Sequence, residues 1–281
     1  MALDEQQAQS IRALAKQARL DIVRMVHAAG SGHPGGPLGM ADFLSVLFHS
    51  HFRINPKNRL DPKRDRLILG NGHTCAGYYA QLAAKGLVPR DELMNLRKFG
   101  SPLQGHPHRN LELGIDFCTG SLGNSLSVAV GMALGARLSG WDSRVFSISS
   151  DGESQEGQIW EAATAAAHYD VGNLCVMVDF NNIQIDGHMR QVMDVRDLRM
   201  KYESFGWHAI DIDGHDLRAI DEALVESRQV EDRPSAIICH TVLGKGVSFM
   251  EDQPGWHGVA PKDDELAQAI AELEAIDTQL A

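Results

Sequence analysis

The chain has 281 residues, 43% of them hydrophobic, enough for one large α/β domain or two small ones. Its formal net charge is −11 and it holds no basic cluster, which argues against nucleic acid or an anionic membrane as partner. The N-terminus carries Asp4 and Glu5 with no apolar signal core, and no apolar run is long enough to span a bilayer, so a cytoplasmic location is expected.

Along the chain, Ile11, Leu14, Ala18, Ile22, Met25, Val26 and Ala29 recur at helical spacing, and Gly30 suits the C-cap. Gly30-Ser31-Gly32-His33-Pro34-Gly35 satisfies the dinucleotide string G-x-G-x-x-G. That fingerprint must follow a strand and open a helix, whereas this one follows a helix and contains Pro34, so a nicotinamide dehydrogenase is a weak alternative. Residues 41–49 read as a second helix, 66–69 as a strand entering Gly70-Asn71-Gly72, 78–84 as a helix, and 122–139 as a small-residue helix. Strand 144–149, helix 154–168, strand 174–179, strand 208–212, helix 216–228 and strand 235–239 continue the alternation. Gly244-Lys245-Gly246 lacks the spacing of a phosphate-binding P-loop, and a Gly/Pro loop leads on to Trp256-His257-Gly258 and an acidic helix over 263–276. Alternation of this kind predicts an α/β fold, a parallel sheet with helices on both faces. No repeat or linker divides the chain, so 1–281 is expected to be a single domain with a C-terminal loop and helix over 245–281. Cys75, Cys118, Cys175 and Cys239 are widely spaced without a Cys-x-x-Cys pair and read as reduced, structural cysteines.

The most informative stretch is Ser149-Ser150-Asp151-Gly152-Glu153, with Asn181-Asn182-Ile183 thirty residues further on. Each follows an apolar strand, so two neighbouring parallel strands would bring Asp151 and Asn181 together at the carboxyl edge, where open sheets bind their ligands. Mg²⁺ takes near-octahedral oxygen ligation, commonly from one or two protein groups plus phosphates and water. Asp151, the Asn181 amide and the Ile183 carbonyl would supply such oxygens, and Gly152 lacks a Cβ that would hold a phosphate away. Asp-Gly and Asn-Asn are also ordinary turn pairs. Of the thirteen histidines, His33, His73, His106 and His257 lie in Gly/Pro loops, where a side chain projects into a cleft. His27, His49, His51, His168 and His188 sit in contexts that offer no chemistry. His106-Pro107-His108 would be a metal pair only with a third ligand, and none stands at sensible spacing.

Asp151-Gly152 with Asn181 resembles the thiamine diphosphate signature. The run Gly30 to Met40, then Asn71-Gly72-His73, Gly105-His106-Pro107 and Thr119-Gly120-Ser121-Leu122-Gly123, is similar in order and context to transketolase, from about residue 10 to about residue 260. That resemblance implies the thiamine-diphosphate-binding fold and an enzyme of pentose phosphate metabolism that moves a two-carbon ketol unit from a ketose phosphate to an aldose. It implies thiamine diphosphate with Mg²⁺, Ca²⁺ or Mn²⁺ suiting the same oxygens. By resemblance His33 and His257 handle proton transfer at the substrate hydroxyl, His106 bonds the donor's ketol hydroxyl, and His73 sits near the diphosphate and the reacting carbon, tasks that suit an imidazole whose ordinary pKa lies near working pH. Gly120 and Leu122 would line the cofactor ring, and Glu156 matches a family glutamate near the subunit interface, although a helix-surface glutamate is as ordinary.

Three departures from the family stand out. Ser150 replaces the first Gly of the signature, and Asn124-Ser125 replace a Gln-Gly pair. The chain also stops at Ala281, where single-chain transketolases continue into a pyrimidine-binding domain bearing the cofactor-activating glutamate. The expectation is therefore an N-terminal subunit of a split transketolase, working with a C-terminal partner subunit in a complex of two copies of each chain. Two readings stay open beside it: a ketol-transfer subunit with a different sugar or formaldehyde as acceptor, and a catalytically silent binding protein.

Overall fold

The computed structural model describes residues 3–277; positions 278–281 of the expected terminal segment lie outside the described residues. Helix α1 (Glu5–Ala29) opens on a capping box, in which Asp4 accepts the Gln7 N–H at 2.8 Å and Gln7 accepts that of Asp4 at 3.0 Å. It ends as expected at Gly30, whose φ of 63° is left-handed. Helix α2 (Gly35–Val46) begins at Gly35 rather than Ala41, on Pro34 as N-cap, and closes in a π turn, Leu47–His51. The G-x-G-x-x-G string thus does open a helix, correcting that part of the expectation, but it follows α1 instead of a strand. Its glycines serve close packing: a Cβ on Gly35 would lie 2.7 Å from the Leu243 side chain, and one on Gly39 would lie 2.8 Å from the Val242 carbonyl.

After β1 (Arg66–Leu69) come α3 (Cys75–Ala84), α4 (Asn124–Leu138), β2 (Val145–Ser150), α5 (Gly157–His168) and β3 (Leu174–Phe180). A two-stranded hairpin follows, β4 (Ile183–Gln184) with β5 (Gly187–His188), then α6 (Met189–Val192), α7 (Leu198–Ser204), β6 (His208–Asp213), α8 (Leu217–Gln229), β7 (Ser235–His240) and α9 (Asp263–Ala275). The hairpin, α6 and α7 were not anticipated, because elements this short show no period; α7 is set by its cap, Asp197 accepting the Met200 N–H at 2.8 Å.

The main sheet has five strands in the order β1-β2-β3-β7-β6, all parallel. Alternate residues of each strand point to opposite faces. From β3, Cys175 and Met177 join the core under α1, α2, α3 and α8, while Leu174, Val176 and Val178 join the core under α4, α5 and α7. Both faces are therefore covered by helices, which is why the strands read as unbroken apolar runs. Burial of each large side chain there stabilises the fold by about 1.5–3 kcal/mol. Cys75, Cys175 and Cys239 are buried and Cys118 is exposed, all four unbridged. Among the described residues no helix is long and apolar enough to cross a membrane.

After β7 the chain returns across α2 and docks α9 on α1, where Lys16 Nζ donates to the Glu274 and Ile276 carbonyls at 2.6 and 2.8 Å. That return carries His257 back over the sheet's carboxyl edge.

A second close approach fixes the turn after β1. Buried Glu153 accepts hydrogen bonds from the Gly123 N–H and the Ser149 hydroxyl, both at 2.9 Å, and its carboxylate lies against Gly70. A Cβ at Gly70 would stand 2.4 Å from Glu153 Oε2 and 2.8 Å from the Ile148 carbonyl. Gly70→Ala is expected to destabilise the protein by about 2 kcal/mol or more, since β1 or the Glu153 network must shift. Chemical denaturation of the variant checks this, and an unchanged midpoint would contradict it.

Candidate active site

Strands β2 and β3 pair in register with Ser150 opposite Asp179, so the residues leaving each strand meet at the same edge. Asp151 donates its backbone N–H to the Asp179 carbonyl at 3.1 Å. The Asp151 carboxylate accepts from Gly152 N at 2.7 Å and from Asn182 N at 2.6 Å, the latter presented by the left-handed φ of 61° at Asn182. Asn181 donates through Nδ2 to Asp179 Oδ2 at 2.9 Å and accepts from Ile183 N through Oδ1 at 2.9 Å. Thr241 from the β7 end donates to the other oxygen of Asp179. The pairing inferred from sequence is present, and Asp179 belongs to the cluster although it went unremarked; an acidic residue closing an apolar strand was its signal.

Asp151 and Asp179 are both about 1% exposed. Burial, and then the negative charge of Asp179, pushes Asp151 up to about 8; burial raises Asp179 to about 6 and Glu153 to about 7. A carboxyl so placed favours its neutral form until a cation stands beside it, so the donor set fits a hard divalent ion. No three His, Cys, Asp or Glu residues cluster as a metal site among the described residues, and the oxygens gathered here are of mixed type. Of His106-Pro107-His108, His108 turns to Cys118, its Nδ1 3.3 Å from Sγ, while His106 joins the other loop histidines.

A cavity of about 300 Å³ runs from Asp151 and Asn181 to His73 and His257, with Leu122 and Ile185 as its apolar wall. It is lined also by Gly152, Ile183 and exposed Glu156, and a Cβ on Gly152 would meet nothing within 4 Å. The Oδ1 atom of Asn71, another lining residue, is buried without a partner, as a site built for a ligand would leave it. Ser150 has no left-handed backbone; its hydroxyl accepts the Glu153 N–H at 3.1 Å and closes the turn. Ser125 is buried inside α4, likewise without a positive φ. Neither position holds a backbone angle that only glycine adopts.

At the far end the imidazoles of His33, His73 and His257 gather, with ring centroids 4.9 Å (His33–His73), 5.3 Å (His73–His257) and 5.7 Å (His33–His257) apart. His106 lies close behind, and Gly120, at φ 128°, permits it: a Cβ there would stand 2.9 Å from the His106 ring. Burial first, then the neighbouring His257, Arg97 and His106, pushes His33 down to about 4. Burial, followed by the other three histidines, takes His73 to about 3. Burial lowers His106 and His257 as well. This corrects the expectation of imidazoles near their ordinary pKa: they are neutral at neutral pH, each with one nitrogen able to accept. The Nδ1 atoms of His33 and His257 are buried without partners. Sequence reading missed Arg97, whose charge acts on His33 and His106 and whose Nε is buried and unpartnered. Its left-handed φ of 61° gave no sequence signal.

Comparison with known proteins adds to this geometry. Residues 4–275 match the family model described as "Transketolase, thiamine diphosphate binding domain". The chain is 39% identical to a 6-deoxy-6-sulfo-D-fructose transketolase subunit of Clostridium sp. (strain MSTE9), over 87% of this chain and 89% of that one. It is 36% identical to an apulose-4-phosphate transketolase subunit of Actinobacillus succinogenes, over 96% of this chain and 95% of that one. Among solved structures, transketolase from Leishmania mexicana superposes with a TM-score of 0.87 at 30% identity, covering 96% of this chain; the chain spans only 42% of that longer protein.

His33 and His73 should remain neutral through the acid range. Their ring proton signals by NMR are expected to hold the neutral-form shifts from about pH 8 down to about pH 5, below the ordinary imidazole value. A midpoint near pH 6.5 for either would contradict the burial argument.

Proposed function

The chain belongs to the transketolase family, and on that premise we propose that it is the diphosphate-binding subunit of a two-chain transketolase that moves a two-carbon ketol unit from a ketose phosphate to an aldose. The observation that carries this reading is that one cavity joins a buried carboxylate and amide turn at one end to neutral imidazoles at the other. The described residues would act as a single domain, with the return from residue 245 onward supplying His257.

Bound in this cavity, thiamine diphosphate supplies the carbon nucleophile that takes up the two-carbon unit. Asp151, the Asn181 amide and the Ile183 carbonyl would hold the divalent cation, Mg²⁺ by preference, and Asp179 keeps the Asn181 amide oriented. Gly152 leaves room for the diphosphate. Gly120 and Leu122 would flank the cofactor ring, with Glu156 at the rim toward a neighbouring chain. His33 and His257, each with a buried unpartnered nitrogen, would accept and return the proton of the substrate hydroxyl beside the bond that breaks. His106 would bond the donor's ketol hydroxyl, and His73 would lie between diphosphate and reacting carbon. Arg97 suits the anionic end of the sugar, in keeping with relatives named for a sulfo-sugar and a sugar phosphate.

A partner subunit is supported by the relatives of matching length, which are themselves named as subunits of transketolases. We place the cofactor-activating glutamate on a C-terminal partner chain and expect two copies of each. Helix α4 supports a second copy, since it leaves Gly131, Gly135 and Leu138 exposed on a helix rich in small and apolar residues.

Reconstitution is the central test. The purified chain should show no ketol transfer alone and gain it on mixing with the C-terminal subunit, followed by light scattering and a coupled assay; full activity from the chain alone would overturn the two-chain reading. In that assembly His33→Ala and His257→Ala should each slow turnover by about 10²- to 10⁴-fold while cofactor affinity holds. Asp151→Ala should abolish Mg²⁺-dependent thiamine diphosphate binding by calorimetry, and an unchanged affinity would remove Asp151 from the cation site.

A further inference from the structure

The amino-terminal edge of the sheet carries a second cavity, of about 510 Å³, lined by Arg53, Arg137, Trp141, Arg144 and Arg228 with the exposed carboxylates of Asp142 and Glu231. Four guanidinium groups against two carboxylates reverse the sign of a chain whose net charge is −11. Arg53 is neutralised, bonded to buried Asp65 at 2.7 Å and to Asp142 at 2.9 Å. The other three are not.

Arg137 Nη1 donates to the Tyr169 and Asp170 carbonyls at 2.7 and 2.6 Å, just beyond α5. Arg144 Nη2 donates to the Ser227 carbonyl at 3.1 Å, in the last turns of α8. These bonds cap helix ends and fix both forks, but they engage one nitrogen of each. Nη2 of Arg137 and both Nε and Nη1 of Arg144 make no hydrogen bond to the described residues. Arg144 is only 8% exposed; buried Asp65, which accepts its backbone N–H at 2.9 Å, attracts its charge, but no carboxylate forms an ion pair with its guanidinium among the described residues. Arg228 has neither hydrogen bond nor ion pair among them. Burial first, and then the charges of Arg228 and Arg53, bring Arg144 below its ordinary value, a repulsion that an anion between them would relieve. Preset guanidinium forks facing a pocket are the geometry that holds a phosphoryl group. The volume exceeds one phosphate and falls in the range of small-molecule sites.

We propose that this cavity binds a phosphorylated small molecule, its phosphoryl group gripped by Arg144 and Arg228 and its organic part beside Trp141. The site stands apart from the cofactor cavity by the length of β2, roughly 20 Å for six residues.

The test is calorimetric titration of the cofactor-saturated two-chain assembly with inorganic phosphate and with glycerol 3-phosphate, glycerol serving as the neutral control. Both phosphates should bind at millimolar concentration or below, and glycerol should not. Arg228→Ala, at an exposed position that leaves the fold intact, should weaken binding at least about tenfold, and Arg144→Met should weaken it as much. The same weakening by Arg228→Ala is expected in an Arg97→Ala background, which removes any phosphate held at the sugar site. Absence of phosphate binding, or an affinity that Arg228→Ala leaves unchanged, would mean the arginines act as helix caps only; a loss confined to Arg97→Ala would place the binding at the histidine cluster and overturn the proposal.

Discussion

Asp151, just past the end of β2, and Asp179, on the adjacent parallel strand β3, are both nearly inaccessible to water, and among the described residues no lysine or arginine is bonded to either. Two carboxylates in such a setting oppose each other's ionisation, so the folded chain holds them at a cost that the proposed divalent cation would offset. Much of the surrounding structure is arranged to keep them there. Thr241 comes from just past β7, Asn181 and Asn182 from the turn after β3, and the backbone N–H of Gly152 from the turn after β2. The order β1-β2-β3-β7-β6 makes this convergence possible, because β3 sits centrally between β2 and β7.

The histidine cluster depends on a different constraint, the absence of side chains. Gly35 and Gly39 let residues 242–243 lie against α2, Gly120 lets a loop close on His106, and Gly258 stands 3.2 Å from the His33 ring at the point where its Cβ would be. Each close approach brings a loop from a distant part of the chain into the same small volume. The consequence is electrostatic: imidazoles packed this closely and this deeply do not carry charge together, which suits the proton-accepting role proposed for them.

The two ends of the sheet are complementary. At the carboxyl edge acidic groups line the proposed cation and cofactor site, and at the amino edge guanidinium groups face the carbonyl ends of helices. Parallel packing puts helix N-termini over the first edge and C-termini over the second, so the charge pattern follows the helix dipoles. Arg137 and Arg144 serve that second edge directly through carbonyl contacts.

Much was legible in the residues alone. The apolar runs at 66–69, 144–149, 174–179 and 235–239 gave the strands within a residue or two, because strands buried on both faces need continuous β-branched and aromatic content. Asp151 and Asn181 were identified because polar turn residues follow such strands, and the four loop histidines because glycine and proline surround them. Short elements such as β4, β5, α6 and α7 escaped, having too few residues to show a period. The early start of α2 escaped because glycine and proline usually end helices, and here close packing against residues 242–243 overrides that preference.

Residue types and their order therefore determined the fold class, the family and which side chains are candidates for the chemistry. The tertiary structure decided what no local pattern encodes: that Asp179 shares the Asp151 pocket, that Arg97 stands beside His33 and His106, that Glu153 rather than a glycine-specific backbone angle makes Gly70 necessary, and that the imidazoles are held neutral. Each is a property of burial and of neighbours distant in sequence. Those are set only when the chain has closed on itself.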